Sequence, residues 1–386
     1  MPPIYLDYNA TTPVDPAVAD AVNHALRELW GNPSSSHAYG KAAHDAVETA
    51  RAQVAALVSA QPDEIVFTGG GSEAINQAIK GTCLRRPRGF LARLLGGRSP
   101  DAAHIITTAV EHPATLQPVE FLRRLGAEVT ILPVDKFGMV DPDDVKRTLT
   151  PRTKLVTVMH SNNEVGTLMP IQEIGALCHT RGVLFHCDCA QSAGKVPVDV
   201  TDLDVDLVSV AGHKLYAPKG VGVLYVRRGL PLEPLIHGAG HESGRRAGTE
   251  NVPYIVGLGK AAEIARESLP PATERLKRLR DRLHQKLRDS LGEKLVLNGH
   301  PEKRLPNTLN VSFLGHIGSE LLAKVPEIAA STGSACHEGK IARSPVLCAM
   351  NAPLEVNHGA VRLTVGRYTT EAEIDRATEM LIAAAK

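Results

Sequence analysis

The chain has 386 residues, 43% of them hydrophobic, enough to bury a large core and to divide into one large domain and one small one. Its 43 basic and 42 acidic residues nearly cancel, so no global field favours nucleic acid or a membrane surface, and neither is an expected partner. Six scattered cysteines (Cys83, Cys178, Cys187, Cys189, Cys336 and Cys348) argue against a disulfide framework, and with no basic, apolar leader and no stretch long enough to span a bilayer a reducing cytoplasm is expected.

Residues 38–59 are alanine-rich and laced with charge, which predicts a helix. A strand is predicted at 64–68 and a helix at 72–80, where Ile75, Ala78 and Ile79 recur at helical spacing; together they make one strand, glycine turn and helix unit. The run 84–98 holds Arg85, Arg86, Arg88, Arg93 and Arg98 with no acid and reads as a solvated surface insertion, with a docking patch as the alternative. Further strands are predicted at 104–108, 128–133, 154–160, 183–188, 206–210 and 222–226, with helical stretches between most of them. The pattern predicts an α/β fold built on a mostly parallel sheet covered by helices. Pro270 and Pro271 punctuate the chain, and residues 273–291 then place Leu276, Leu279, Leu283, Leu287 and Leu291 on one face of a charged helix, so a second domain is expected to begin near here. The glycosylation triplets at Asn9 and Asn310 are read as chance.

The groups that carry chemistry converge on one cofactor. Asp188 and Lys214 each close a short apolar run, 26 residues apart, as parallel strands delivering side chains to a crevice do. A carboxylate suits a pyridine nitrogen and a lysine suits an aldehyde, which together point to pyridoxal phosphate. Gln191 can reach the ring hydroxyl, His112 can lie over the pyridine face and His213 can donate to the phosphate; a satisfied structural histidine is the alternative for each histidine, and only context raises these two. Thr68-Gly-Gly-Gly-Ser72, between a strand and a helix, offers backbone amides and a helix N-terminus to that phosphate. A dinucleotide fits less well, because no acid ends a strand about 20 residues further on. Cys336 sits in a stretch rich in Gly, Ser and Thr, where an exposed thiol can act as a nucleophile; an incidental loop cysteine is the alternative. Arg362 is the best candidate for a bidentate clamp on a carboxylate, with an ordinary strand arginine equally compatible. Cys187 and Cys189 point to one strand face with Asp188 opposite, and no second ligand pair follows at a zinc-like spacing, so no metal site is expected there.

These segments resemble the cysteine desulfurases of the class V aminotransferase family, and most of all the nitrogen-fixation and iron–sulfur assembly type. The likeness runs almost end to end, through Tyr5 to Pro13, Gly31 to Ser35, Phe67 to Glu73, Val110 to His112, Asn162 to Gly166, His186 to Gln191, Gly212 to Lys214, Arg246 to Asn251, Gly333 to Cys336 and Arg362 to Arg367. The resemblance implies the fold type I of pyridoxal-phosphate enzymes, with a seven-stranded sheet in a large domain (16–262) and a small α+β domain made from 1–15 and 263–386, which carries the Cys336 loop. It implies a homodimer acting on L-cysteine, with Lys214 joined to the cofactor aldehyde, Cys336 as the persulfide carrier, and Asp188, Gln191 and His112 around the ring. Gly71, Ser72, Gly212 and His213 fall at the phosphate, Thr249 at the phosphate of the other subunit, and Asn163 and Arg362 at the substrate carboxylate, with Asn32 also beside the substrate. A sulfur acceptor or iron–sulfur scaffold protein is the implied partner, and Cys336 the one candidate cluster ligand. The chain departs from the family's pattern at Ala211, where a phosphate-binding serine is common, at Cys189, where alanine is usual, and at Ser72, where threonine is commoner. His337-Glu338, Arg343-Ser-Pro345 and the insertion near 84–100 resemble selenocysteine lyases of the same family, which keeps selenocysteine as an alternative substrate. A class V aminotransferase and a weakly active scaffold-binding subunit are the further alternatives.

Overall fold

A computed structural model of the chain describes residues 3–85, 103–332 and 343–386. The elements follow the predicted alternation. After β1 (Ile4–Tyr5) come α1 (Pro16–Glu28), α2 (Ala38–Leu57), β2 (Ile65–Thr68) and α3 (Gly71–Cys83). Asp15 caps α1 by accepting from the Ala17 amide at 3.0 Å, with Pro16 at the first helical position, where its missing N–H costs nothing. There follow β3 (His104–Thr108), α4 (Pro113–Arg124), β4 (Glu128–Leu132), α5 (Pro142–Thr148), β5 (Thr153–Met159), α6 (Ile171–Thr180), β6 (Leu184–Asp188), β7 (Leu207–Ala211) and β8 (Gly222–Val226).

Strands β2 to β8 form a seven-stranded sheet in the order β2-β8-β7-β6-β5-β3-β4. Only β8 runs against its neighbours, pairing antiparallel with both β2 and β7. The central strands β3 and β7 are buried at every residue, as expected of parallel strands covered on both faces, whereas the edge strand β4 is mostly accessible. This is why the strands read as near-continuous apolar runs in the sequence, and each predicted strand is one of these seven.

The predicted break at Pro270 and Pro271 is not a break. One 40-residue helix, α7 (Val252–Leu291), runs through both prolines. An interior proline costs about 3 kcal/mol, since it removes a hydrogen bond and crowds the preceding turn. Here both prolines, and Arg266 and Glu267, whose carbonyls lose their amide partners, are exposed to water. Burial of Leu276, Leu279, Leu283 and Leu287, at about 1.5–3 kcal/mol each, outweighs the penalty. The first half of α7 packs Ile255, Leu258 and Ala262 into the core under the large sheet.

The chain continues with β9 (Leu295–Asn298), β10 (Thr308–Phe313), α8 (Gly318–Ala323), β11 (Ile328–Ala329), α9 (Pro345–Ala349), α10 (Leu354–His358), β12 (Ala360–Thr364) and α11 (Glu371–Ala385). Antiparallel β12-β10-β9 and the parallel pair β1-β11 cover a second core, in which Ile4 and Leu6 pack with the α7 leucines, Leu309, Val361 and Leu381. Both ends of the sequence thus enter one core.

Asn9 joins this second core to the first. It is 1% exposed and uses all of its hydrogen-bonding groups. Its amide N–H donates to Thr364 Oγ1 at 3.1 Å, and its Nδ2 donates to the Asn163 carbonyl at 3.2 Å and to Thr308 Oγ1 at 2.9 Å. Its carbonyl accepts from Gln191 Nε2 at 3.0 Å and its Oδ1 from Asn307 Nδ2 at 2.9 Å. Burial of Asn9, and of Asn310 with its Nδ2 on the Glu164 carbonyl, leaves neither glycosylation triplet accessible. Asn9→Ala strands several buried partners at about 1–3 kcal/mol each. It is expected to lower the thermal unfolding midpoint by several degrees; an unchanged midpoint would show that the network is replaceable by water.

Candidate active site

The carboxyl ends of β6 and β7 open on the same side of the sheet, because parallel neighbours end together. Asp188 is the last residue of β6, and Ala211 the last of β7, which turns at once through Gly212 to Lys214. A cavity of about 450 Å³ lies outside these ends, and Asp188, Gln191, Ala211, His213, Lys214, His112, Asn163, Gly71 and Ser72 all line it.

Each side chain is tuned by its surroundings. Asp188 is buried, which raises its pKa, while the Ala190 amide, donating to Oδ1 at 2.9 Å, and then the charges of Lys214 and His112 pull it back. Burial pushes the Lys214 amine down to about 8, with Asp188 opposing and Arg362 assisting. His112 caps α4, its Nδ1 accepting from the Ala114 amide at 3.1 Å. That bond assigns its proton to Nε2, and burial followed by the Lys214 charge holds its pKa below the usual range, so the ring is neutral. His213 is pushed down to about 4 by burial and by Lys214, Lys219 and Lys195, and its Nδ1 lies 3.2 Å from Thr11 Oγ1.

At the opposite wall β2 runs into α3 through Gly70, whose φ of +144° is open to glycine, and no side chain caps the helix. A Cβ on Gly71 would come within 3.0 Å of the Ala211 Cβ, so these two small residues keep the helix N-terminus open to the cavity. Uncapped amides and the helix dipole suit an anion. Glu73, also in the lining, is tied back by accepting from the Gly69 amide and from Arg246 Nε at 2.9 Å.

Several predicted residues are not brought to this cavity. Gly212 is buried in the turn, its amide on the Val221 carbonyl. Asn32 and Thr249 are exposed and outside the lining. Arg362, read in the sequence as a carboxylate clamp or an ordinary strand arginine, is engaged within the chain: its NH2 donates to Asp7 Oδ1 at 2.7 Å and its NH1 to the Asn163 carbonyl at 3.0 Å, each keeping a second hydrogen, and its buried Nε has no partner among the described residues. Cys336, His337, Glu338 and the arginines from Arg86 to Arg98 lie outside the described residues.

Two buried groups escaped sequence reasoning. Glu111, fully enclosed, accepts from Thr108 Oγ1 at 2.8 Å and from the Met159 amide at 3.0 Å, and burial raises its pKa to about 8. Lys195 is buried below Gln191, and burial lowers its pKa to about 7. Neither lies at a position that local pattern marks. His186 is a structural histidine: its ring nitrogens lie 2.8 Å from Thr157 Oγ1 and Ser209 Oγ, and burial lowers its pKa to about 3. The Cys187 and Cys189 sulfurs lie 3.7 Å apart, on one side of the strand end. Among the described residues no group of His, Cys, Asp or Glu is arranged to hold a metal, and no helix is long and apolar enough to cross a membrane.

The set of donors fits pyridoxal phosphate: a buried acid for the ring nitrogen, a depressed lysine for the aldehyde and an open helix N-terminus for the phosphate. Comparison with known proteins agrees. The class V aminotransferase profile matches residues 4–377. A protein named cysteine desulfurase IscS from Dictyoglomus turgidum is 43% identical over 98% of this chain and 93% of its own length. A cysteine desulfurase from Nostoc is 46% identical over 98% of this chain and 92% of its own. Among solved structures, a NifS-like protein aligns with a TM-score of 0.88 at 36% identity, covering 99% of this chain and 98% of that one. SspA in complex with cysteine aligns with a TM-score of 0.80 at 34% identity, over 95% and 99%. The chain belongs to the class V aminotransferase family.

Proposed function

We propose that the protein is a pyridoxal-phosphate-dependent cysteine desulfurase, converting L-cysteine to L-alanine and leaving a persulfide on Cys336. The observation that carries the reading is the shared cavity wall of Asp188, Lys214 and the open α3 N-terminus, on a chain whose relatives carry that name. When bound, pyridoxal phosphate supplies an electron sink for the substrate's α-carbon. Asp188 would hold the proton on the ring nitrogen, and Gln191 would donate to the ring oxygen. Lys214 would hold the aldehyde and would move the substrate's α-proton through Nζ, an amine that its burial lowers to about 8. The Gly71 and Ser72 amides with His213 hold the phosphate, and Thr249, exposed on this chain, serves the second subunit of a homodimer.

Asn163 and Arg362 orient the substrate carboxylate. The Cys336 thiolate attacks the substrate sulfur, the carbon–sulfur bond breaks with its pair left on carbon, and protonation of that carbon gives alanine. The new sulfur–sulfur bond keeps the sulfur on the protein for a scaffold or other acceptor in the cytoplasm. In domain terms, 16–262 holds the cofactor, and 1–15 with 263–386 carries the thiol.

The test is to load the protein with pyridoxal phosphate, supply L-cysteine with a reductant and measure alanine and sulfide. Equal amounts of both are expected. No alanine from a loaded protein would overturn the desulfurase reading, and alanine from selenocysteine alone, in competition at equal concentration, would replace it with selenocysteine lyase.

A further inference from the structure

Lys195 is 6% exposed and, among the described residues, has no carboxylate within ion-pair distance. Its Nζ donates instead to two oxygens of one residue, the Gln191 carbonyl at 2.9 Å and Gln191 Oε1 at 3.3 Å. The other end of the same carboxamide is held as well, since Gln191 Nε2 donates to the Asn9 carbonyl at 3.0 Å.

These partners remove the usual ambiguity in the orientation of an amide. A carbonyl cannot donate, so Asn9 must face Nε2. An ammonium cannot accept, so Lys195 must face Oε1. Even as a neutral amine Lys195 keeps two hydrogens, one for each of its two acceptors. With Oε1 on Lys195 and one Nε2 hydrogen on Asn9, the second Nε2 hydrogen is the free donor of a side chain that lines the active-site cavity. A flipped amide would turn an oxygen to the site and set its NH2 against an ammonium.

We propose that Lys195 is a positioning residue that fixes the polarity of Gln191, so that the amide meets the cofactor as a hydrogen-bond donor and selects the ionised form of the ring oxygen. This rests on the reading of the cavity as a pyridoxal phosphate site with Gln191 at that oxygen. The charged and titratable groups around Lys195 are Lys214 and His213 on the site side, and Asp15, Tyr216, Arg275 and Arg367, which line with it a second cavity of about 430 Å³. That cavity also holds Ile264, Leu276 and Val365, so an apolar side chain at 195 finds compatible neighbours.

A double-mutant cycle separates action through the amide from the plain loss of a charge. Wild type, Lys195→Met, Gln191→Ala and the double variant are loaded with pyridoxal phosphate. For each, the pH midpoint of the visible absorption change of the bound cofactor and the cofactor dissociation constant are measured. Losing a donor to the ionised oxygen raises that midpoint, by roughly 0.4–1 unit for one ordinary hydrogen bond. Lys195→Met is expected to give such a rise in the wild-type background and none beyond the Gln191→Ala value in the double variant. An equal rise in both backgrounds, or no rise in either, overturns the proposal. Lys195→Gln, whose amide both donates and accepts, is expected to shift the midpoint in the same direction and takes the place of the methionine variant if that one does not fold. A wild type that takes up no cofactor would overturn the functional reading, and the inference with it, whereas a loaded wild type with unchanged variants overturns the inference alone.

Discussion

Lys214→Ala is expected to lower alanine formation from L-cysteine by about 10²–10⁴-fold, the range for loss of a positioned acid–base group, and to abolish the visible band of the bound cofactor. No other described amine can substitute in place. Lys195 is held by both oxygens of Gln191 and lines the neighbouring cavity, not this one. Arg362 is a guanidinium, not an amine, and one of its terminal nitrogens is paired with Asp7. Because burial sets the Lys214 pKa at about 8, with Asp188 working against it, removing the acid acts in the opposite direction from removing the lysine's enclosure: Asp188→Asn would leave Lys214 still lower and the ring nitrogen without its partner. Retention of more than a tenth of the wild-type rate in Lys214→Ala would place the proton transfer on another group.

Cys336→Ala should separate the two halves of the reaction. Cys336 is not among the groups proposed to hold the cofactor, so the variant is expected to bind pyridoxal phosphate with unchanged affinity and to show the wild-type visible band. Sulfur transfer from L-cysteine should fall on the order of 10³-fold or more, as removal of a nucleophile does in other covalent enzymes. Selenocysteine offers an internal comparison, because selenium leaves carbon more readily and has less need of a thiol acceptor. Full desulfuration of L-cysteine by Cys336→Ala would sink the persulfide route. Loss of activity on L-cysteine with retention on selenocysteine would show that the thiol matters for sulfur alone.

Much of this site was legible in the sequence because buried parallel strands write themselves as apolar runs, and the polar residue that ends such a run lies at the crevice. Asp188 and Lys214 were found on that basis, and adjacent strands do deliver them to one cavity. What stayed hidden depends on partners far apart in sequence. The ion pair of Arg362 with Asp7 spans 355 positions, and Asn9 collects its partners from residues 163, 191, 307, 308 and 364, so neither could be read from spacing. Glu111 and Lys195 look like ordinary surface-type residues in the sequence, and only three-dimensional enclosure makes them unusual. Pro270 and Pro271 misled for the same reason: local propensity argues for a stop, and two cores on either side override it.

That override has a mechanical consequence. At about 1.5 Å per residue, the 40 residues of α7 make a strut about 60 Å long, anchored by apolar grip at both ends. The two cores are therefore not beads on a string, and tilting one against the other loads the strut. Its stiffness is not even along its length, because the turn ending at Pro270 and Pro271 lacks two rungs of the hydrogen-bond ladder. Bending concentrates there, and because Pro271 lines the same neighbouring cavity as Lys195, a flexure at this point falls beside the lysine that holds Gln191.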